Sequence, residues 1–312
     1  GMRFGLLAMS SSQDVRYNRE KLKQGNELAN KLWNASRLVL LRVEDVEPAP
    51  RPETVEDRWI LSRLERITEE ATKGYESFLL SRVALELYGA FWGEVCDWYL
   101  ELVKPRLYDE SADRAALSAT LLHVLDRVLR LLHPIMPFVT EEIWSFLPGD
   151  RGMLISAAWP APRTDLVDDG AEQVIGRAIE AVTALRRYRD EVGVPAARTL
   201  PVRLSADGYE DTAEQIARLA RVELVAGDVD GDAVATVAIP GGAVHVLPSD
   251  AVDPEEAARR KDERRKVLEQ EVSRAEGKLA NKGFVEKAPP AVVEAEREKL
   301  ARFKAELEGL SE

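Results

Sequence analysis

Histidines, cysteines and paired carboxylates are the side chains from which most bond-making and metal sites are assembled, and here they are few and scattered. The three histidines, His123, His133 and His245, stand apart from the one cysteine and from any carboxylate pair at metal-ligand spacing. His123 falls in an apolar helical pattern and is expected in a core. His133 stands where that pattern stops and is expected to cap it, and His245 falls in a strand pattern. Cys96, followed by Asp97 and Trp98 in an aromatic run, is expected to be a buried thiol rather than a nucleophile. No glycine loop could cradle a phosphate, because Pro240-Gly241-Gly242 has the spacing of a hairpin turn. No catalytic residue, metal ligand or cofactor is therefore expected.

Two sets of hydrogen-bonding and cationic groups remain. The stretch GNELANKLWNASRL (25–38) places Asn26, Asn30, Lys31, Asn34 and Arg37 on neighbouring faces of a helix. Asparagine is a mediocre helix former, so several in one helix ask for a reason. Amide and guanidinium groups suit the exposed edges of unpaired nucleic-acid bases, and they equally suit bonds to neighbouring helices within a bundle. The second set lies near the C-terminus. Arg259, Arg260, Arg264, Arg265, Lys266, Arg274 and Lys278 share one helix, with Lys282, Phe284 and Lys287 in the loop that follows. Such a run fits phosphate contact or an ordinary solvated face.

The elements that must carry these groups are mostly helical. Leu22, Leu28, Leu32, Ala35 and Val39 predict a helix over 20–41, and the proline-rich 44–52 predicts a linker. Thr54 with Asp57 three residues on predicts the capped start of a second helix, to Lys73. Further helices are predicted over 76–103, ending before Pro105, over 111–132, and over 140–146. Short connections between long helices imply an antiparallel bundle. After Pro148-Gly149 the pattern changes: a helix over 171–191, strands at 200–206 and 222–227 around a helix at 209–220, and a hairpin over 234–248. From Asp253 helix returns. Leu268, Val272, Ala275 and Leu279 step by 4, 3 and 4, and Leu300, Phe303, Leu307 and Leu310 by 3, 4 and 3, the spacing of a coiled coil. Lys261 and Arg265 fall on or near the first seam. Two helices joined by so short a loop predict an antiparallel hairpin arm, about 40 Å long for roughly 28 residues per helix. The fold class expected is mainly α, with a helical bundle over 1–148, a small α+β domain over 149–252 and a coiled-coil arm over 253–312.

Composition bounds the partners. Across 312 residues, 45% are hydrophobic and 31% charged, enough apolar residues for real cores. The richest apolar run, 121–139, is broken by Asp126, Arg127 and Arg130, so no membrane span or signal peptide is expected. A single cysteine suits a reducing compartment, and the cytoplasm is expected. Gly1 ahead of Met2 is not an initiator and is expected to be a cloning remnant. The net charge of −12 speaks against phosphate contact in general. It is uneven, however: residues 148–254 hold 10 Lys/Arg against 18 Asp/Glu, a net of −8, and residues 255–308 hold 14 against 13, a net of +1.

Five stretches, RFGLLAMSSSQDVR (3–16), ELANKLWNASRLVL (27–40), DWYLELVKPRLY (97–108), HPIMPFVTEEIW (133–144) and KLANKGFVEKAPPAVVEAEREKL (278–300), resemble in order the C-terminal half of bacterial valyl-tRNA synthetases. The fourth is shared with the isoleucyl and leucyl enzymes; the last is more specific to the valyl family, and no cysteine-rich zinc module of the isoleucyl type is present. The resemblance implies an anticodon-binding bundle, a small connector domain and a coiled-coil arm that touches the tRNA elbow. It implies anticodon contact by Arg16, Asn26, Asn30, Lys31, Asn34 and Arg37, and elbow contact by Arg264, Arg265, Lys266, Arg274, Lys278, Asn281, Lys282, Phe284 and Lys287. The partner implied is a valine-specific tRNA, with neither DNA nor membrane. The family's ATP-binding sequences and its editing domain are not found, so no activity is expected from this chain alone, and a catalytic domain that is either separate or missing stays open. The chain departs from the family at Leu28 and Leu38, where phenylalanine is common, and at Lys282, where an acidic residue is frequent. The other reading is a structural protein that uses the coiled coil for self-association.

Overall fold

The computed structural model describes residues 1–9, 18–109, 111, 113–227, 233–251, 254–281, 293–294, 296–297, 299–301 and 303–304; between 254 and 264 only Arg259, Asp262 and Glu263 have described side chains. It is mainly helical with one small mixed sheet, and it divides into two compact units, residues 1–179 with 208–215 and residues 180–207 with 216–312.

In the first unit α1 (Met2–Leu7) precedes α2 (Arg19–Leu40). The side chain of Asn18 caps α2 by accepting from the backbone N–H of Glu20 at 2.9 Å. Leu28, Leu32, Ser36 and Val39 recur every three or four residues and form its buried stripe. α3 (Val55–Glu76) begins with the Thr54/Asp57 capping box. Asp57 is wholly buried, and its carboxylate also accepts from the Tyr99 hydroxyl and the Arg106 guanidinium, each at 2.9 Å.

The helix predicted over 76–103 is instead three segments. Ser77, Phe78 and Leu79 break the chain, Phe78 adopting φ of 57°. α4 (Leu80–Gly89) then folds back on α3, and the approach is close: a Cβ on Gly74 would overlap the Val83 side chain. Hydrogen bonding widens to a π-helical pattern over Ala90–Tyr99 and returns to α in α5 (Leu100–Tyr108). The buried set Phe91, Val95/Cys96 and Tyr99/Leu100 repeats every four to five residues, as the wider turn requires. α5 runs through Pro105 rather than stopping before it. Burial of Leu107 and the ion pairs from Arg106 to Glu53 (2.8 Å) and Asp57 hold the last turn despite the missing N–H.

α6 (Ala115–Leu132) is the central helix, buried on most of its circumference, and α7 (Pro137–Trp144) follows. Residues 152–168, with no helix longer than one turn, then form a strap across α3 and α6. Side chains of those helices hydrogen-bond to it, as does Glu141 of α7: Glu65 accepts from the Arg163 N–H (2.7 Å), Ser62 from the Asp168 N–H (2.9 Å), Thr72 from the Trp159 indole (2.8 Å), and Arg127 donates to the Ala161 carbonyl (3.1 Å). The first stretch of this unit ends within α8 (Asp169–Glu191).

The second unit holds the sheet, in order β2-β1-β4-β3. β1 (Leu200–Ala206) pairs in parallel with β2 (Val222–Leu224), with α9 (Ala213–Ala220) in the crossover, and antiparallel with β4 (Gly242–Val246), which pairs antiparallel with β3 (Ala235–Ile239). The β3–β4 turn is Pro240-Gly241; Gly242 must lack a Cβ, which would run into the Ser205 carbonyl. α10 (Pro254–Ala280) buries Leu268 and Ala275 and half-buries Val272 and Leu279. Lys278 to Glu296 (3.3 Å), Lys299 to Glu271 (3.5 Å) and Lys304 to Glu276 (2.7 Å) tie it to the segment after 293, where Val293 is buried.

Candidate nucleic-acid interface

In a helix each residue advances about 100°, so Asn26, Asn30, Asn34 and Arg37 lie along one stripe of α2, opposite the apolar stripe. All four are exposed, and the side chains of Asn30, Asn34 and Arg37 have no hydrogen-bond or ion-pair partner among the described residues. Among the described residues these three make no bond to a neighbouring helix. Lys31 lies to one side and is held: its Nζ is 3.0 Å from Asp97 and 4.9 Å above the Trp92 ring, which stacks on Tyr88. Arg16 lies outside the described residues. Leu28 is buried and Leu38 half-buried.

The same stripe carries residues that spacing alone did not single out. Trp33 is 41% exposed and meets Phe146, 57% exposed, edge to face at 6.2 Å. An open groove of about 410 Å³ runs beside them, lined by Trp33, Ser36, Arg37, Leu40, Ile143 and Phe146, with exposed Leu41 at its rim. Among the described residues Arg37 is its only charged lining residue, and the Ser36 hydroxyl, on a residue 2% exposed, has no partner. At the end of α2, Arg42 covers the Tyr108 ring at 4.4 Å. A tryptophan directly after the core position Leu32 reads as core in a sequence; only the crossing of α2 and α7 leaves it outside.

On α10 the expected cations are solvent-facing but accompanied. Lys266 pairs with Asp262 (2.7 Å) one turn back, Arg274 with Glu271 (2.7 Å) and Lys278 with Glu296. The hydrogen bond that Lys266 donates to the Asp262 carboxylate raises the Lys266 pKa. Such exposed pairs hold their partners weakly and exchange readily for another anion. Arg265 is half-buried, and Asn281 donates its backbone N–H to the Lys278 carbonyl at 3.2 Å as α10 ends. Lys282, Phe284, Lys287 and the side chain of Arg264 lie outside the described residues.

The groups considered for bond-making chemistry take other positions. Burial pushes the Cys96 thiol up to about 12 and the His123 imidazole down to about 4. His133 Nδ1 is 2.8 Å from the Thr140 hydroxyl at the start of α7. His245 is beside Thr236 on β3, at 3.2 Å. Among the described residues no His, Cys, Asp and Glu side chains gather in a metal-binding group, and no helix is long and apolar enough to cross a membrane.

Residues 57–204 match the family model of the anticodon-binding domain of tRNA ligases, and residues 253–312 match that of the valyl tRNA synthetase tRNA binding arm. α2 precedes the first matched stretch. Curated relatives cover it: a valine–tRNA ligase of Carboxydothermus hydrogenoformans is 38% identical over 323 residues, and one of Clostridium acetobutylicum 34% over 327. Each alignment takes in 100% of this chain and 37% of the relative. A valine–tRNA ligase of Thermotoga maritima is 36% identical, over 96% of this chain and 35% of its own length. The chain thus spans little more than a third of the relatives it matches. Among solved structures, part of a LeuRS-tRNA-LeuAMS ternary complex from Agrobacterium radiobacter K84 overlays 53% of this chain and 20% of the matched chain, with a TM-score of 0.41 at 19% identity.

Proposed function

We propose, on the premise that this chain belongs to the valyl-tRNA synthetase family and corresponds to its non-catalytic C-terminal region, that it binds valine tRNA at two places. The helical bundle reads unpaired anticodon bases with the stripe of Asn26, Asn30, Asn34 and Arg37, together with Lys31 and Arg16. The observation that carries this reading is the stripe itself: three hydrogen-bonding side chains exposed on one face, with no partner among the described residues. Amides so placed can meet the edges of splayed bases, and a guanidinium beside them the phosphate that follows. α10 and the segment after it form an antiparallel coiled-coil arm that holds the tRNA elbow through phosphates. The half-buried and buried seam of Leu268, Val272, Ala275 and Leu279 and the ion pair from Lys278 to Glu296 support two helices lying side by side. Two modest contacts on one large ligand reinforce each other through effective concentration. Aminoacylation needs the catalytic part that the longer relatives possess.

The test is a titration of the full chain with valine tRNA, with the same tRNA bearing an altered anticodon, and with a non-cognate tRNA. Saturable binding in which the altered anticodon costs affinity is expected. Equal affinity for all three would leave only charge attraction, and a chain that binds none of them while forming dimers would point to self-association instead.

A further inference from the structure

We infer that the groove between α2 and the residues closing α7 is a pocket for one unpaired nucleobase, whose phosphate is met by Arg37; this rests on the tRNA-binding reading above and extends it to side chains that reading does not use. Three features select the occupant. Trp33 and Phe146 meet edge to face and leave much of both rings in solvent, and an exposed pair of large aromatics marks a binding surface whose natural guest is another flat ring. Among the described residues Arg37 is the only charged one of the lining, with no carboxylate to offset it and no partner. The guest is therefore anionic at its rim. Ser36 forms part of the floor with a buried hydroxyl that lacks a hydrogen bond among the described residues, an unfavourable state that a polar base edge relieves. An apolar peptide side chain would use the aromatic wall but leave Arg37 and Ser36 unanswered. The groove also continues the exposed stripe, since Arg37 belongs to both and Asn30 and Asn34 lie beside Trp33 on α2. A strand tracked by that stripe thus reaches the groove without leaving the helix.

The experiment uses the full chain and valine tRNAs in which one anticodon-loop nucleotide at a time is made abasic. Affinity for each is measured for the wild type, Trp33→Ala, Trp33→Phe, Phe146→Leu and Asn34→Ala. One position should exist where removing the base weakens wild-type binding about 5- to 150-fold. There Trp33→Ala should bind the intact tRNA as weakly as the wild type binds the abasic one, with no further loss on base removal. Trp33→Phe should restore both affinity and sensitivity, Phe146→Leu should behave like a milder Trp33→Ala, and Asn34→Ala should still respond to that base. The pocket is overturned if intact tRNA binds but no position couples to Trp33 or Phe146. It is also overturned if the Trp33→Ala loss is the same at every position, or if the variants change sedimentation rather than RNA affinity. Failure of wild type to bind intact tRNA saturably is a separate result, seen before any variant is made, and it removes the tRNA reading together with the pocket.

Discussion

Asn34 and Arg37 differ from Lys31 in what holds them before a ligand arrives. Lys31 already has Asp97 and the Trp92 face, whereas Asn34 and Arg37 have no partner among the described residues. Arg37→Ala and Asn34→Ala should therefore each cost about 1–3 kcal/mol of binding to valine tRNA and leave the thermal melt within the small range of ordinary surface changes. Lys31→Ala should lower stability by about 1 kcal/mol, from a part-exposed ion pair and a cation–π contact, visible in urea unfolding without RNA. Large melting losses in the first two would mean that they pack the bundle after all. His123 makes a different prediction. Its folded pKa lies near 4 against an ordinary 6.5 because burial disfavours the charged ring. The unfolded chain thus binds more protons between those values, and stability falls as pH drops from about 6.5 to 4, by up to about 3 kcal/mol. His123 Nε2 has no partner among the described residues, so His123→Leu should fold and lack this portion of the acid loss, measured by urea unfolding at pH 7, 5.5 and 4.5.

At the scale of elements, Asp57 ties the start of α3 to the π segment and to α5. Its carboxylate caps one helix while accepting from Tyr99 and Arg106 of the others. Asp57→Ala leaves Arg106 with Glu53, Glu56 and the Thr54 hydroxyl but strips Tyr99 and the helix start of their shared acceptor, and should cost about 3–5 kcal/mol, read by urea unfolding; a loss below 1 kcal/mol would mean that the three elements are held by apolar packing alone. The capping half of this arrangement was legible in the sequence, because Thr54 and Asp57 stand at the required spacing before an apolar period. The other half was not, because Tyr99 and Arg106 are more than forty residues away and only the fold brings them in. The same division holds elsewhere. α2, α3, α6 and the β3–β4 hairpin follow from periodicity and turn residues, which are local. The break at Phe78, the π turns and the passage through Pro105 depend on what the aromatic run packs against. In the candidate interface the polar stripe was readable from spacing, while Trp33 and Phe146 were not, since their type is that of core residues and their exposure is set by α7. The strap over 152–168 has no period to read.

For the whole molecule, a net charge of −12 and phosphate binding are compatible when cations are gathered on one element. Replacing Arg265, Lys266, Arg274 and Lys278 together by alanine in the full chain should weaken all tRNAs by similar factors, because cations on phosphates position without specifying. It should also flatten the salt dependence by roughly 0.7–0.9 in log–log slope for each phosphate no longer neutralised. A quadruple variant with unchanged slope would remove the arm from RNA binding. The strap has a consequence of another kind. Seventeen residues with no helix longer than a single turn are ordinarily where a protease nicks a domain first, and Arg163 offers trypsin a bond within them. Its N–H is held by buried Glu65, however, and the flanking backbone by Ser62 and Arg127. Cleavage after Arg163 should thus need the same opening that exposes α6, and Ser62→Ala or Glu65→Gln should speed it selectively, turning this segment into a built-in reporter of whether the helical unit is intact.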